Sequence, residues 1–311
     1  MRAHFADALE HGDLDALRHI PKSDLHSHAG RGGHVSYIAK AKGVKIPPPP
    51  KAFASLDDMQ SWYQHTIKPH CSGVEGQLLQ WEAAFAQAEA DHITVLALNF
   101  GTSEIAFVGG METYTALLAD YNARFAPHTT FLPELTFDRA CDVDAEHALL
   151  DEIFSCNLFR SVDICHDELA APIGRFQKIY RLAESHGLRF KAHVGEFGTA
   201  NDVMEAVETL ALHEIHHGIA AASSPQVMRF LADNGIRLNV CPTSNVMLGV
   251  AKDYASHPIK KLYEAGVPVT LNTDDLLIFN QTVSQEYLNL YQAGLFTATE
   301  LNAIRETGLQ N

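Results

Sequence analysis

The chain has 311 residues, of which 46% are apolar and 20% charged, a composition typical of a globular protein with a sizeable hydrophobic core. Its 38 acidic residues outnumber the 23 lysines and arginines, giving a formal net charge of −15. That charge argues against binding to nucleic acid or to an anionic membrane surface, because both are polyanions. We therefore expect a small-molecule partner, and the sequence leaves the oligomeric state open.

Targeting signals and disulfide frameworks are not evident in the sequence. The N-terminal stretch carries acids and lacks a signal-peptide core, and no stretch approaches the length of an apolar membrane span. The five cysteines are scattered and show no CxxC spacing, which is typical of reduced thiols. These features predict a cytoplasmic location.

The first predicted strand is KSDLHSHA, residues 22–29, and it carries two histidines two positions apart. Alternate side chains of a strand point to the same side, so His26 and His28 would aim both imidazoles at one spot. The following residues, about 30–76, are polar and helix-like and include a stiff KIPPPPK run. We interpret them as a helical lid or rim inserted into a single domain, residues 1–311.

Seven further apolar segments alternate with amphipathic helical stretches along the rest of the chain. They lie at 92–100, 129–137, 159–165, 188–194, 214–220, 236–242 and 267–273. Eight strands alternating with helices predict an α/β fold of the (β/α)8 TIM-barrel type. A doubly wound open sheet is the alternative, but no GxGxxG motif or P-loop follows the first strand, which argues against its nucleotide-binding form.

Polar residues cluster at the predicted C-terminal ends of the strands, where the active sites of such barrels lie. Strand five ends in HVGE, strand six in HHG, and strand eight in NTDD. Zinc prefers imidazole nitrogens and carboxylate oxygens, and a catalytic site keeps one position open for water. The candidate ligands are His26, His28, His193 and Asp274. The same set would also accept iron, cobalt or manganese.

Three further residues at these strand ends have natural roles beside such a metal. Bound zinc lowers the pKa of water towards neutrality. Asp275 and His217 could orient that water and take its proton. Glu196, in the loop beyond strand five, could deliver a proton to the substrate.

The motifs PKSDLHSH, HVGE, HHG, CPTSN and NTDD, in this order from Pro21 to about Phe279, resemble those of the adenosine deaminase family of the amidohydrolase superfamily. The resemblance implies a TIM barrel with one catalytic zinc on the four candidate ligands. It implies that Glu196 protonates the ring nitrogen beside the attacked carbon, while His217 and Asp275 activate and hold the water. The reaction implied is hydrolytic deamination at C6 of a 6-aminopurine. Strand four has no lysine to bridge a second metal, in agreement with one metal.

The chain departs from the family pattern at three positions that we treat, with Asp275, as candidate substrate-binding residues. Gly30 stands where the family has an acid that helps to hold ribose, and Arg31 follows it. His166 stands where the family has a glycine that approaches the purine. Arg31 could clamp an anionic substrate group or pair with Asp57 or Asp58, and we favour the ion pair. His166 could contact substrate or point to solvent.

Two inward-facing positions have structural interpretations. Lys191 should face the barrel interior, where we expect Glu134 or Asp163 to neutralise it. His216 could compete with His217 for the catalytic role, but strand alternation and the adjacent Gly218 favour His217.

The leading hypothesis is therefore a zinc-dependent deaminase that converts adenosine to inosine. Deamination of adenine, of a modified or anionic aminopurine, or of another amino-heterocycle is the alternative within the same chemistry. A non-catalytic purine-binding barrel is a third possibility, although every expected catalytic position is filled. Amide or ester hydrolysis is a fourth, and it would not need a glutamate that protonates a purine.

Overall fold

The computed structural model describes residues 2–310. Its eight parallel strands form one sheet in chain order. They are β1 Lys22–Asp24, β2 Ile93–Gly101, β3 Thr130–Asp138, β4 Ser161–Cys165, β5 Arg189–Val194, β6 Glu214–His217, β7 Arg237–Val240 and β8 Val269–Leu271. Beyond β8 the chain meets the segment after β1, where Ser27 and Asp274 form a parallel bridge. The sheet thus curls into the predicted (β/α)8 barrel.

Helices surround the strands. They are α1 Arg2–His11, α2 Leu14–Arg18, α3 Val35–Lys42, α4 Leu56–Thr66, α5 Gly73–Ala90, α6 Thr102–Phe107, α7 Met111–Phe125, α8 Val143–Ser155, α9 Gln177–Ser185, α10 Ala200–Leu210, α11 Pro225–Asp233, α12 Pro242–Met247, α13 Ile259–Glu264, α14 Leu276–Phe279, α15 Val283–Gln292 and α16 Ala298–Gly308. Short 3-10 turns lie at Lys68–His70, Ile173–Phe176, Ile219–Ser223 and Tyr254–Ser256. Among residues 2–310 we find no helix whose length and apolar content would let it cross a bilayer.

Each strand overlaps the segment predicted for it, but β1 ends five residues earlier than expected. The regular ladder stops because the amide of Leu25 donates to the side-chain oxygen of Asn272 at 2.8 Å instead of to a strand carbonyl. His28 then forms an isolated bridge to Asn99 on β2. His26 and His28 therefore lie on a segment after β1 that two isolated β-bridges hold in place. These bridges fix the direction of the two side chains.

The barrel interior holds a buried charge network beneath the mouth. The Lys191 ammonium lies 2.8 Å from a carboxylate oxygen of Glu134 and 3.7 Å from one of Glu214. Burying such charges is costly unless each one is paired. Glu134 is thus the expected partner of Lys191, whereas Asp163, the alternative, bonds to His193 instead.

The segment 30–76 contributes α3 and α4 to a second apolar cluster, outside the main core. Met59 and Tyr63 of α4 belong to this cluster, as do Met247 of α12 and Leu277 of α14. The amide of Phe53 also donates to the carbonyl of Met247 at 2.7 Å. Because α12 and α14 directly follow β7 and β8, the segment covers that side of the barrel mouth. Its role as a lid stays a prediction.

His257, next to α13, gives the folded state a dependence on pH. The ring is 1% exposed, its Nδ1 accepts the Ile259 amide at 3.2 Å, and burial lowers its pKa to about 4. The unfolded chain therefore binds a proton that the folded chain does not, between pH 6.5 and about 4. Stability is retained above pH 6.5 and falls as the pH drops through this window.

We expect His257→Asn to remove this dependence, because the asparagine oxygen can still accept the Ile259 amide. Between pH 7.5 and pH 5 the native protein should lose about 2 kcal/mol more unfolding free energy than the variant. Urea unfolding at both pH values measures the difference, with His4→Asn, at an exposed position of α1, as the control. An equal pH dependence of the native and His257→Asn proteins would contradict the prediction.

Candidate active site

The four predicted metal ligands converge at the C-terminal mouth of the barrel. Nε2 of His26 lies 2.9 Å from Nε2 of His193 and 3.6 Å from an Asp274 carboxylate oxygen. Nε2 of His28 lies 3.2 Å from the same Asp274 oxygen. All four donor atoms fall within 4.8 Å of one another. In a tetrahedral site with bonds of about 2.0–2.1 Å, donors lie about 3.3 Å apart.

In His26 and His193, a hydrogen bond at Nδ1 determines that the other ring nitrogen, Nε2, carries the lone pair and points towards the metal cluster. Nδ1 of His26 donates to the carbonyl of Asn239 at 2.9 Å, and Nδ1 of His193 donates to Asp163 at 3.0 Å. Both Nε2 atoms therefore carry lone pairs, and they face each other at 2.9 Å. Such lone pairs repel unless a cation lies between them, so the residues fit a divalent metal held by nitrogen and oxygen.

Electrostatics keeps His26 in the form that a metal needs. Burial is the largest effect on its pKa, and the neighbouring His216 and His217 add to it, so that the pKa lies well below its usual value. The ring is neutral at physiological pH, and neutral imidazole is the form that ligates metals. The second ring nitrogen of His26 is thus available without a proton having to leave.

The three predicted catalytic residues line one cavity with His28, His193 and Asp274. The cavity encloses about 390 Å³. Nε2 of His217 lies 3.5 Å from Glu196 and 3.9 Å from Asp274. Oε1 of Glu196 and Oδ1 of Asp275 are buried and have no hydrogen-bond partner among residues 2–310. Each of these two cavity-lining residues thus has one buried carboxylate oxygen without a partner, close to the metal cluster.

Burial and three nearby carboxylates raise the pKa of Glu196 well above its usual value. After burial, the largest contributions come from Asp274, Glu168 and Asp275. For His217, burial is again the main cause, and it lowers the pKa to about 3. A carboxyl that keeps its proton and a neutral imidazole are thus placed side by side.

The two adjacent histidines of β6 face opposite surroundings, as strand alternation predicts. His216 points into the barrel, where its Nε2 lies 3.0 Å from Glu134 and its ring stacks on His26 at 4.1 Å. His217 faces the cavity, and its Nδ1 lies 3.2 Å from the Asn245 amide nitrogen. His217 and Asp274 adopt left-handed backbones, with φ of 64° and 59°, which non-glycine residues adopt only at a cost.

Glu168 is a supporting residue that the sequence analysis did not assign. Its carboxylate accepts the backbone amides of Gly195 and Gly198, each at 2.6 Å, and also that of Phe197. These three bonds hold the loop that carries Glu196. Glu168 and the adjacent Asp167 can be read in the sequence after strand four. The partners of Glu168 are backbone amides, however, and every residue type except proline has one, so the sequence does not reveal them.

The adenosine deaminase family model matches residues 148–311. A Treponema pallidum (strain Nichols) protein, provisionally named adenosine/adenine deaminase, is 32% identical over 94% of this chain and 98% of its own length. This chain belongs to the adenosine deaminase family. The barrel matches an adenine deaminase structure from Arthrobacter aurescens, with a TM-score of 0.79, 22% identity, and 93% of each chain covered. It also matches a zinc-bound amidohydrolase from Burkholderia ambifaria, with a TM-score of 0.75 and 21% identity, over 99% of this chain and 86% of that one.

As a member of this family, the protein is a metal-dependent hydrolytic deaminase. Its departures from the family pattern lie around the same cavity. Gly30, Arg31 and His166 all line it. His166 keeps the left-handed backbone, φ 70°, that glycine adopts readily, and its half-exposed ring lies 3.1 Å from Asp138. The ring therefore borders both the cavity and solvent.

The expected pairing of Arg31 with Asp57 or Asp58 is wrong. Its guanidinium donates to Asp275 at 2.7 Å and to Gln60 at 2.8 Å, and it lies over the Tyr63 ring. The reason is the barrel closure, because the Leu277 amide donates to the Arg31 carbonyl at 2.7 Å and brings the two segments together. Arg31 thereby holds one oxygen of Asp275 and leaves the other free.

We expect Asp163→Asn to weaken metal binding. The Asp163 carboxylate accepts the Nδ1 proton of His193 and also a hydrogen bond from Thr136 at 2.8 Å. An amide loses the charge that fixes the His193 tautomer, so metal affinity should fall about 10- to 100-fold. Competition with a chelator of known affinity measures the change, and Asp151→Asn at an exposed position of α8 is the control. Affinity within twofold of the native protein would refute this role for Asp163.

Proposed function

We propose that this deaminase removes the 6-amino group of a neutral 6-aminopurine nucleoside such as adenosine, giving inosine and ammonia, with one zinc ion per chain. The observation that carries the proposal is the pair of carboxylate oxygens, on Glu196 and Asp275, that have no hydrogen-bond partner among residues 2–310. They belong to the cavity that three of the four candidate metal ligands, His28, His193 and Asp274, also line. Hydrolytic deamination needs a water nucleophile on one side and a proton delivered to the ring on the other.

The chain's own residues divide these tasks by their positions. When bound, the metal supplies Lewis acidity that lowers the pKa of water towards neutrality. The free oxygen of Asp275 would accept a proton from a water molecule that the neutral ring of His217 orients. Asp275 would then return that proton to the departing amino group, which leaves as ammonia. Glu196 delivers its proton to the purine nitrogen next to the attacked carbon. Arg31 keeps Asp275 in place through its other oxygen.

The charges of the outer cavity favour a neutral substrate over a nucleotide. Asp138, Glu104 and Glu146 line this part of the cavity. Among residues 2–310, Arg31 is the only lysine or arginine that lines it. Its guanidinium already bonds to Asp275 and Gln60. A phosphate would therefore meet carboxylates without a free cation, whereas a neutral sugar avoids that repulsion.

Adenine is the second candidate substrate. Gly30 provides no side chain beside the metal histidines to hold a sugar, and the Arthrobacter aurescens structure named above is an adenine deaminase. The cavity volume of about 390 Å³ lies within the range of small-molecule sites and would leave room beside a bare base. We therefore favour the nucleoside.

Ammonia release from the zinc-loaded protein, measured with adenosine, 2′-deoxyadenosine, adenine and AMP, tests the proposal. We expect kcat/KM to be highest for a nucleoside and lowest for AMP. Glu196→Gln should reduce kcat by about 10²- to 10⁴-fold, because the amide cannot deliver a proton, while zinc content stays unchanged.

Glu205→Gln, at an exposed position of α10, is the matched control and should behave as the native protein does. Preference for adenine over both nucleosides would overturn the nucleoside assignment. Retention of more than a tenth of kcat in Glu196→Gln would overturn its role as proton donor.

The cellular location and the metal count remain predictions. The five cysteines are free, and no disulfide joins any of them within the described chain, which supports a reducing compartment. Among residues 2–310, one group of four candidate donors lies at the barrel mouth, and each of the three groups of three donors shares a residue with it, which supports one metal ion per chain.

A further inference from the structure

The outer wall of the cavity carries an acid whose second oxygen is unused. Glu104 lies on α6, directly after β2, and borders the cavity together with Gly101 and Thr102. Its Oε1 accepts a hydrogen bond from Gln77 at 2.9 Å. Its Oε2 is buried and has no hydrogen-bond partner within residues 2–310. The structure thus leaves one acceptor in place for a donor from outside the chain.

Among the acids of the outer cavity wall, Glu104 is the one with a buried oxygen that lacks a hydrogen-bond partner within residues 2–310. Glu146 accepts the Thr102 hydroxyl at 2.6 Å, and Asp138 lies 3.1 Å from His166. Glu104 has no lysine, arginine or histidine within ion-pair distance in the described part of the chain. Burial raises its pKa to about 7, and a backbone hydrogen bond from Gly101 and the more distant charges of Lys68 and His28 offset only part of that effect. A hydroxyl donor would offset part of that loss.

The position of Glu104 is linked to the glycine after the metal histidines. A Cβ atom at Gly30 would lie 3.3 Å from Nε2 of Gln77, the same nitrogen that donates to Glu104. The end of the Gln77 side chain therefore borders position 30 and would have to shift slightly to admit a larger residue there. Through Gln77, the Glu104 carboxylate on α6 is held beside the segment after β1 that carries His28 and Gly30.

We propose that Glu104, positioned by Gln77, binds the sugar hydroxyls of the nucleoside substrate and is a specificity-determining residue of this deaminase. The inference rests on the proposed nucleoside deaminase function and names the group that recognises the sugar. It explains how a chain with glycine at position 30 presents an acid at the cavity wall. It also explains why that acid is left with a free oxygen.

The test pairs a change in the protein with a change in the substrate. Adenosine is compared with 5′-deoxyadenosine and with 2′,3′-dideoxyadenosine, which lack hydroxyl donors, in the native protein and in Glu104→Gln. We expect the native protein to prefer adenosine over at least one analogue by about 10- to 100-fold in kcat/KM, the range for a hydrogen bond to a charged group. In Glu104→Gln this preference should collapse to about threefold or less.

Two further variants separate recognition from structural damage. Glu146→Gln alters another acid of the cavity wall, one that accepts the Thr102 hydroxyl and has no buried oxygen without a partner among residues 2–310, and should keep the native preference. The double variant Gly30→Asp, Glu104→Gln places a carboxylate at position 30, on the opposite side of Gln77 from position 104. It should restore part of the preference for adenosine. Zinc content and thermal unfolding of each variant show whether it is folded and loaded.

The outcomes separate this inference from the proposed function. Nucleoside turnover with an unchanged preference in Glu104→Gln would overturn the role of Glu104 and leave the nucleoside function standing. Equal turnover of all three nucleosides by the native protein would do the same. Turnover of adenine but of no nucleoside would overturn both.

Discussion

The constraint on which the site depends is the facing of two imidazole lone pairs at the centre of the barrel mouth. His26 follows β1 and His193 lies on β5, yet their Nε2 atoms lie 2.9 Å apart. Neither ring can turn its proton inward, because Asn239 and Asp163 engage the opposite nitrogens. The fold therefore creates a site between the two Nε2 atoms that a bound cation would stabilise. The carboxylate of Asp274 supplies a further donor to this site.

The layers around that position support it from both sides. Beneath it, Glu134 joins Lys191 to His216, whose ring stacks under His26. Above it, Arg31 links Asp275 to Gln60 and Tyr63 on α4. Buried charges are costly when unpaired. A substitution that removes one partner in either layer would therefore disturb the residues that contact the metal cluster. The segment 30–76 is thereby bonded to Asp275 of the candidate site and does not merely lie over it.

The sequence was enough to predict the barrel and to point to the residues that the structure brings together. Alternating strands and helices set the fold, and polar residues such as His193 and Asp274 at strand ends share one mouth because parallel strands end at the same edge. The sequence could not provide the partners of Arg31, nor the bond from Gln77 to Glu104. Those contacts join helices and strand ends that lie far apart in the chain, and their register depends on packing. The role of Glu168 was hidden for another reason, since its partners are backbone amides.

The most direct test of this account is a crystal structure of the zinc-loaded protein with anomalous diffraction measured at the zinc absorption edge. We predict one peak per chain at the barrel mouth, about 2.0–2.2 Å from Nε2 of His26 and His193 and from an oxygen of Asp274, with His28 completing the protein ligands. Two peaks in the cavity, or one peak bound instead by Asp163 and His216, would contradict it.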